Sequence, residues 1–353
     1  MNVLIIGGTG FISSRLALQL ITRGNDVTIL TRGKSEPDHA HSGSVRRLVG
    51  DRHDEAFLSS AASRHFDAVY DMIAYLPEES ASAIKAFRGK IGRFIHCSTI
   101  SVYMVSDQVR CPISEDQDTL PLMTFNDRNP FGMEYGIKKR QCERLLWDAH
   151  DERDFRVTIL RPTYVSGPGD PVRRDFFWIE RILDGGPLLI PGSGDIAFQQ
   201  VYVEDVANAF ASVLSEPASV GNAFNVVGEE VRSLNEYLDD VCGMLGKCPE
   251  RVHVNQRVFD RLPFSKCPGE HVFPFNTLWT AVFSLEKTRS VLGYRSTPFR
   301  KWMGETIEYF TREHKGHSAG YADRRHEVTF ALAWKKHFDE LAGKAGSWTM
   351  AQS

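Results

Sequence analysis

Tyr135 and Lys139 stand four residues apart in the stretch Tyr135-Gly136-Ile137-Lys138-Lys139. On a helix this spacing puts both side chains on one face. A phenol keeps its proton to about pH 10, so it serves as a base near neutrality only beside positive charge, which Lys139 would supply. Thr99 places a hydroxyl just beyond the run from Arg93 to Cys97, within reach of the same substrate oxygen. Phenol, ammonium and hydroxyl together suit removal of an alcohol proton while hydride leaves to a nicotinamide.

A dinucleotide site is written at the opposite end of the sequence. Val3 to Ile6 is an apolar run, Gly7-Gly8-Thr9-Gly10 a tight turn, and Phe11, Ile12, Leu16, Leu20 and Ile21 follow at helical spacing. Such a turn brings backbone amides and a helix N-terminus to a pyrophosphate, so Gly7, Thr9, Gly10, Phe11 and Ile12 are assigned to the cofactor. The next apolar run, Asp26 to Leu30, ends at Thr31-Arg32-Gly33-Lys34. An acidic residue there would bond the ribose hydroxyls of NAD, whereas Arg32 and Lys34 suit a 2′-phosphate, so the cofactor is NAD or NADP with NADP preferred. Asp51 would accept a hydrogen bond from the adenine amino group. Ala74, Ser98 and Pro162, each following a strand, complete the cofactor side.

The elements that must hold these residues alternate. Strands are expected at Val3 to Ile6, Asp26 to Leu30, Leu48 to Val49, Ala68 to Met72, Arg93 to Cys97 and Val157 to Arg161, with helices over Asp54 to Arg64, Pro77 to Phe87 and from Tyr135 onward. This order calls for an α/β fold with a doubly wound parallel sheet, whose ligand lies beyond the carboxyl ends of its strands. The expected division is a dinucleotide-binding core over 1–165 with returning elements near 198–227, a smaller, discontinuous C-terminal substrate-binding cap over 166–197 and 228–316, and a helical tail over 317–353. Tyr75, Thr163, Tyr164 and Gln199 are assigned to the substrate, and Arg173 and Arg174 to a diphosphate clamp. Pro249 to Pro274 mixes Pro, Phe, Cys and His without a period and reads as irregular packing.

Composition excludes several classes. The 353 residues are 42% hydrophobic and 25% charged with a formal net charge of -3, an ordinary globular balance without a basic footprint, so no nucleic-acid partner is expected. The six cysteines show neither C-x-x-C nor metal-ligand spacing, and the histidines form no H-x-x-x-H pair, so no metal is assigned and a reduced, cytoplasmic setting is expected. The apolar N-terminus is too short for a secretory signal, and no run of about 18 apolar residues is present to span a membrane.

The chain resembles the extended short-chain dehydrogenase/reductases, the NAD(P)-dependent epimerase/dehydratase family. The resemblance rests on the glycine turn, Cys97-Ser98-Thr99-Ile100-Ser101-Val102-Tyr103, Tyr135 with Lys139, Leu160-Arg161-Pro162 with Gly167-Pro168-Gly169, Val201 to Ala207, and Phe224-Asn225-Val226. It implies a Rossmann core, a nucleotide-sugar substrate, a possible homodimer, and roles for Thr99, Tyr135 and Lys139 as hydroxyl donor, acid/base and helper. Ile100-Ser101 stands where 4,6-dehydratases carry an Asp-Glu pair, which points to epimerisation through a transient ketone rather than dehydration. A reductase of a carbonyl substrate using NADPH is the alternative. Gly50-Asp51-Arg52, Val69-Tyr70-Asp71 and His271 to Phe275 also resemble the branch containing chloroplast stem-loop RNA-binding proteins, which implies a non-catalytic RNA-binding or regulatory alternative. That branch has lost the tyrosine motif that this chain keeps.

Overall fold

The computed structural model describes residues 1–346 apart from 35–44, 127–128, 130, 263–265, 268–269, 272, 276–277 and 319. Val3, Leu4, Ile5 and Ile6 are completely buried, as a strand covered on both faces requires. They form β1 (Asn2–Ile6), followed in the chain by β2 (Asp26–Thr31), β3 (Val45–Val49), β4 (Phe66–Asp71), β5 (Ile91–Cys97) and β6 (Val157–Pro162). With the strand Asn222–Val226 these make a seven-stranded sheet, ordered from Asn222–Val226 through β6, β5, β4, β1 and β2 to β3, with every neighbouring pair parallel. The order reverses between β1 and β4, the switch point beyond whose strand ends such sheets bind their ligands.

Helices α1 (Phe11–Thr22), α2 (Glu55–Ala62), α3 (Pro77–Phe87) and α4 (Met133–Asp151) cover the sheet. Leu16, Ala17 and Leu20 of α1 are buried, and α1 packs beside the helix Val203–Ser215. Leu4, Ile6, Leu58, Ala83, Phe87, Phe94 and Leu146 share one core cluster with α2, α3 and α4. Helix α4 starts two residues before Tyr135, after Gly132 in the left-handed region at φ 71°. Its Gly136 is required by packing: a Cβ there would lie 2.5 Å from the Ser101 carbonyl oxygen and 2.6 Å from Val105.

Two compact units divide the chain. One comprises Met1–Ser166, Gln199–Val231 and Ala281–Pro298, the other Gly167–Phe198, Arg232–Thr280 and Phe299 onward. The division differs from the expected one at both later boundaries. Ala281–Pro298 joins the sheet unit, where Asn225 donates to the carbonyls of Ile113 (3.0 Å) and Ser284 (3.2 Å). The C-terminal helix, Arg324–Gly346, is not a separate tail but part of the second unit. There buried Glu327 takes Arg181 in two hydrogen bonds of 2.9 and 2.6 Å, and Arg324 reaches Asp184 at 2.8 and 3.0 Å.

The second unit also corrects the expectation of irregular structure after Pro249. Arg251–Val254 is a strand parallel to Leu188–Pro191, and Gln256–Phe259 is a helical turn. Four-residue strands pairing across sixty residues carry no local period to announce them. The remainder of the 249–274 stretch lies partly outside the described residues. Aromatic contacts fill this unit's core, among them Phe177 with Trp178 and Phe198 with Phe275.

Candidate active site

The turn after β1 is built by two glycines and a serine. Gly7 has φ +92°, and a Cβ on it would meet Ile73 at 2.5 Å, so both backbone and packing demand glycine. Gly8 is as tight, with Ile29 at 2.2 Å from a hypothetical Cβ. Gly10 is different, because its Cβ would touch only the Ser13 hydroxyl, at 3.2 Å. Ser13 donates to the Gly7 carbonyl at 2.5 Å and accepts from the Gly10 amide at 2.9 Å. Ser13 thus ties the turn to α1. The amides of Phe11 and Ile12 open α1 and have no intrahelical acceptor, which leaves them available to an anion.

Thr99, beyond β5, is extended and caps the short 3₁₀ turn Ile100–Val102 by accepting the Ser101 amide at 3.2 Å. Gly136 lets α4 close against that turn. Tyr135 is therefore brought close enough to Thr99 for that hydroxyl to act on its phenol, and its ring lies 6.2 Å from that of Tyr75. The phenol is held above its ordinary value, first by burial and then by Cys97 and Tyr75, with Thr99 pulling the other way. Residue Tyr135 as a whole remains 37% exposed.

Lys139 differs from the sequence reading. It is 2% exposed and donates to the carbonyls of Ala74 (2.8 Å) and Cys97 (2.5 Å), with His96 Nε2 at 3.3 Å. The phenol one helical turn away is raised, chiefly by burial, rather than lowered. The Tyr75 ring lies 5.8 Å from the same ammonium.

The loop after β3 and the end of β4 are joined by a charge cluster that sequence reading missed. Arg52 pairs with Asp71 through bonds of 2.7 and 3.0 Å and donates to the Glu79 carbonyl at 2.8 Å, all three residues being buried. Glu79 accepts the amides of Tyr75 and Leu76 at 2.6 and 2.8 Å, so it starts α3 and fixes Tyr75. His53 joins Glu79 to Asp51, at 2.9 and 2.7 Å. Asp51 is exposed, and its carboxyl is lowered chiefly by its hydrogen bonds with His53, Arg32 adding a smaller pull. Arg32 and Lys34 stand exposed past β2, where Thr31 turns its hydroxyl to the Gly33 amide at 2.9 Å.

Other expected residues divide. Ser98 is 4% exposed with an unpartnered hydroxyl, and Ala74 is fully buried with its carbonyl on Lys139. Pro162 ends β6, and the Thr163 hydroxyl donates to the Gln199 carbonyl at 3.0 Å. Tyr164 stacks on Phe131 with centroids 6.1 Å apart. Gln199 is corrected: it is 3% exposed and spends both ends of its amide inside the fold, donating to Gly228 and accepting from Phe283. In the second unit Arg173 donates to the His317 carbonyl at 2.7 Å and Arg174 lies 3.6 Å from buried Asp170. Among the described residues no group of His, Cys, Asp and Glu has metal-site geometry, and no helix is long and apolar enough to cross a membrane. Arg161, noted in the sequence only as a landmark, is a fully buried hub that holds Glu143 of α4 (3.0 and 2.5 Å) and the Tyr103 hydroxyl (2.6 Å).

A seven-stranded parallel sheet with a glycine turn at its switch point is the Rossmann arrangement. Residues 3–227 match the NAD dependent epimerase/dehydratase family, and the chain belongs to that family. It is 33% identical over 310 residues, 83% of this chain and 75% of the other, to the chloroplast stem-loop binding protein of 41 kDa b from Arabidopsis thaliana. It is 28% identical over 336 residues, 87% of this chain and 97% of the other, to UDP-N-acetyl-alpha-D-glucosaminuronate decarboxylase from Bacillus cytotoxicus. UDP-glucuronic acid 4-epimerase from Bacillus cereus, solved with NAD, shares the fold with a TM-score of 0.68 at 20% identity, covering 89% of this chain and all of that one (100%).

Proposed function

We propose that the chain is an NAD(P)-dependent enzyme that oxidises a sugar hydroxyl of a nucleotide sugar to a transient ketone and returns the hydride, with epimerisation as the net reaction. The observation that carries this reading is the close packing of α4, which bears Tyr135 and Lys139, against the turn that Thr99 opens, made possible by Gly136. The residues present fit the cofactor. Gly10 leaves space that no protein atom needs, the first-turn amides of α1 face the same turn, and the buried Ser98 hydroxyl awaits a partner. Bound there, the nicotinamide supplies hydride acceptance and return. Tyr135, as the phenolate that the positive charges of Lys139 and an oxidised nicotinamide would favour, takes the alcohol proton while Thr99 holds the oxygen, and the resulting phenol gives the proton back to the ketone.

Arg32 and Lys34 support NADP, since the end of β2 carries no carboxylate for ribose hydroxyls. The nucleotide-sugar substrate is supported by the names of the decarboxylase and epimerase relatives. Stem-loop binding, named for the Arabidopsis relative, ranks behind the enzymatic reading because Thr99, Tyr135 and Lys139 are gathered at one strand end. The test joins two measurements. Mass spectrometry of the co-purifying nucleotide should give NADP, and Tyr135→Phe should lower turnover 10²- to 10⁴-fold at unchanged cofactor binding. Activity retained within about tenfold would remove Tyr135 from the chemistry.

A further inference from the structure

An ammonium has three donors, and at Lys139 all three are directed into the fold. Two go to the carbonyls of Ala74 and Cys97 and the third to His96 Nε2, 3.3 Å away. Because an ammonium only donates, His96 must accept through Nε2, which puts its own proton on Nδ1, an atom without a partner. The imidazole is completely buried. Burial first, then the charges of Lys139, Arg52 and Arg161, hold its pKa well below the ordinary histidine range, so the ring stays neutral and able to accept.

We propose that His96 is a positioning residue for Lys139: its Nε2 lone pair holds the ammonium at the strand ends, in the charged and oriented state that the Tyr135 chemistry needs. This rests on the proposed enzymatic reading. The argument is one of cost. A histidine inside an apolar strand loses hydration and leaves Nδ1–H unsatisfied, which an apolar side chain would avoid. The compensation is the acceptor it provides for a buried charge, which would otherwise lack one of its three partners. Since the Ala74 and Cys97 carbonyls belong to the backbone, His96 is, among the described residues, the side chain within hydrogen-bond distance that sets where this ammonium rests.

The charged and titratable groups around this pair come from several elements. Tyr135 and Cys142 lie on α4, Cys97 on β5, Asp71 on β4 and Tyr75 beyond it, while Arg52 and Arg161 act on His96 from the loop after β3 and from β6. Removing the acceptor leaves all of these in place and withdraws support only from the ammonium. With less positive charge held near it, the phenol ionises at higher pH, so the rise of activity with pH moves upward.

The experiment compares His96→Phe with His96→Gln, whose amide oxygen can accept the same proton, and adds Lys139→Met alone and with His96→Phe. His96→Phe should lower kcat at least tenfold and move the rising limb of the kcat–pH profile up by about one unit, while His96→Gln should stay within about threefold of the parent with its profile in place. In thermal unfolding without cofactor, Lys139→Met should recover much of the Tm lost in His96→Phe, because it removes the charge left unpartnered. The proposal is overturned if His96→Phe keeps the parent's pH profile, if both His96 variants are equally impaired, or if the Tm losses are additive. Should Tyr135→Phe retain turnover, the enzymatic reading fails, while the Tm cycle still decides whether His96 holds Lys139.

Discussion

Gly7 and Gly10 occupy one turn for different physical reasons. At Gly7 the positive φ and the Ile73 side chain both exclude a Cβ, so alanine there strains the protein itself. At Gly10 the backbone is ordinary, φ -83°, and the only neighbour is a serine hydroxyl that can shift by a few tenths of an ångström. Nothing in the fold explains a glycine at this position, whereas close approach of a pyrophosphate does. Gly10→Ala should therefore leave the Tm within about 2 °C of the parent yet weaken cofactor binding more than tenfold, about 1.4 kcal/mol. Calorimetric titration beside a thermal melt checks both halves. Unchanged affinity would remove Gly10 from the cofactor site.

Between elements, the decisive contact is α4 against the turn that carries Thr99. Each supplies a hydroxyl, and the missing Cβ of Gly136 sets how close they come. Alanine at 136 must displace the Ser101 carbonyl, overpacking by about 1–3 kcal/mol and separating Tyr135 from Thr99. Gly136→Ala should lower kcat at least tenfold with little change in cofactor affinity, since the turn after β1 is untouched; parallel kcat and binding measurements would expose a uniform loss instead. Much of this arrangement was legible in the sequence. The strand β1 is an apolar run ended by glycine, β5 ends at Ser98-Thr99, and i, i+4 spacing is a property of any helix. What was not legible depends on partners remote in sequence. His96 reads as a lone histidine in an apolar strand, and only folding brings the Lys139 ammonium to it. Gln199 looked available for substrate because its neighbours Gly228 and Phe283 lie far along the chain. For the same reason the burial of Lys139 on the carbonyls of Ala74 and Cys97 could not be read from its spacing to Tyr135.

Across the whole chain, the second unit is closed by its last helix through charge rather than by an apolar stripe alone. Arg181 and Glu327 are each 1% exposed, and the guanidinium lies 3.5 Å over the Phe177 ring while it grips both carboxylate oxygens. Arg324 adds a third charge, 3.2 Å from Glu327 and paired with Asp184. Such a cluster contributes little net stability over an apolar replacement of equal volume, but breaking it leaves a buried cation without its partner. Glu327→Ala should accordingly destabilise this unit by about 3–5 kcal/mol, and Arg181→Met combined with Glu327→Leu should restore most of that loss. Urea unfolding followed by the fluorescence of Trp178 and Trp302, both buried in this unit, reports the change where it occurs and does not assume that both units unfold in one step. If the two substitutions together cost as much as the sum of each alone, the ion pair is not what anchors the helix, and the weight shifts to Ala331 and the Trp334 hydrogen bond to the His253 carbonyl.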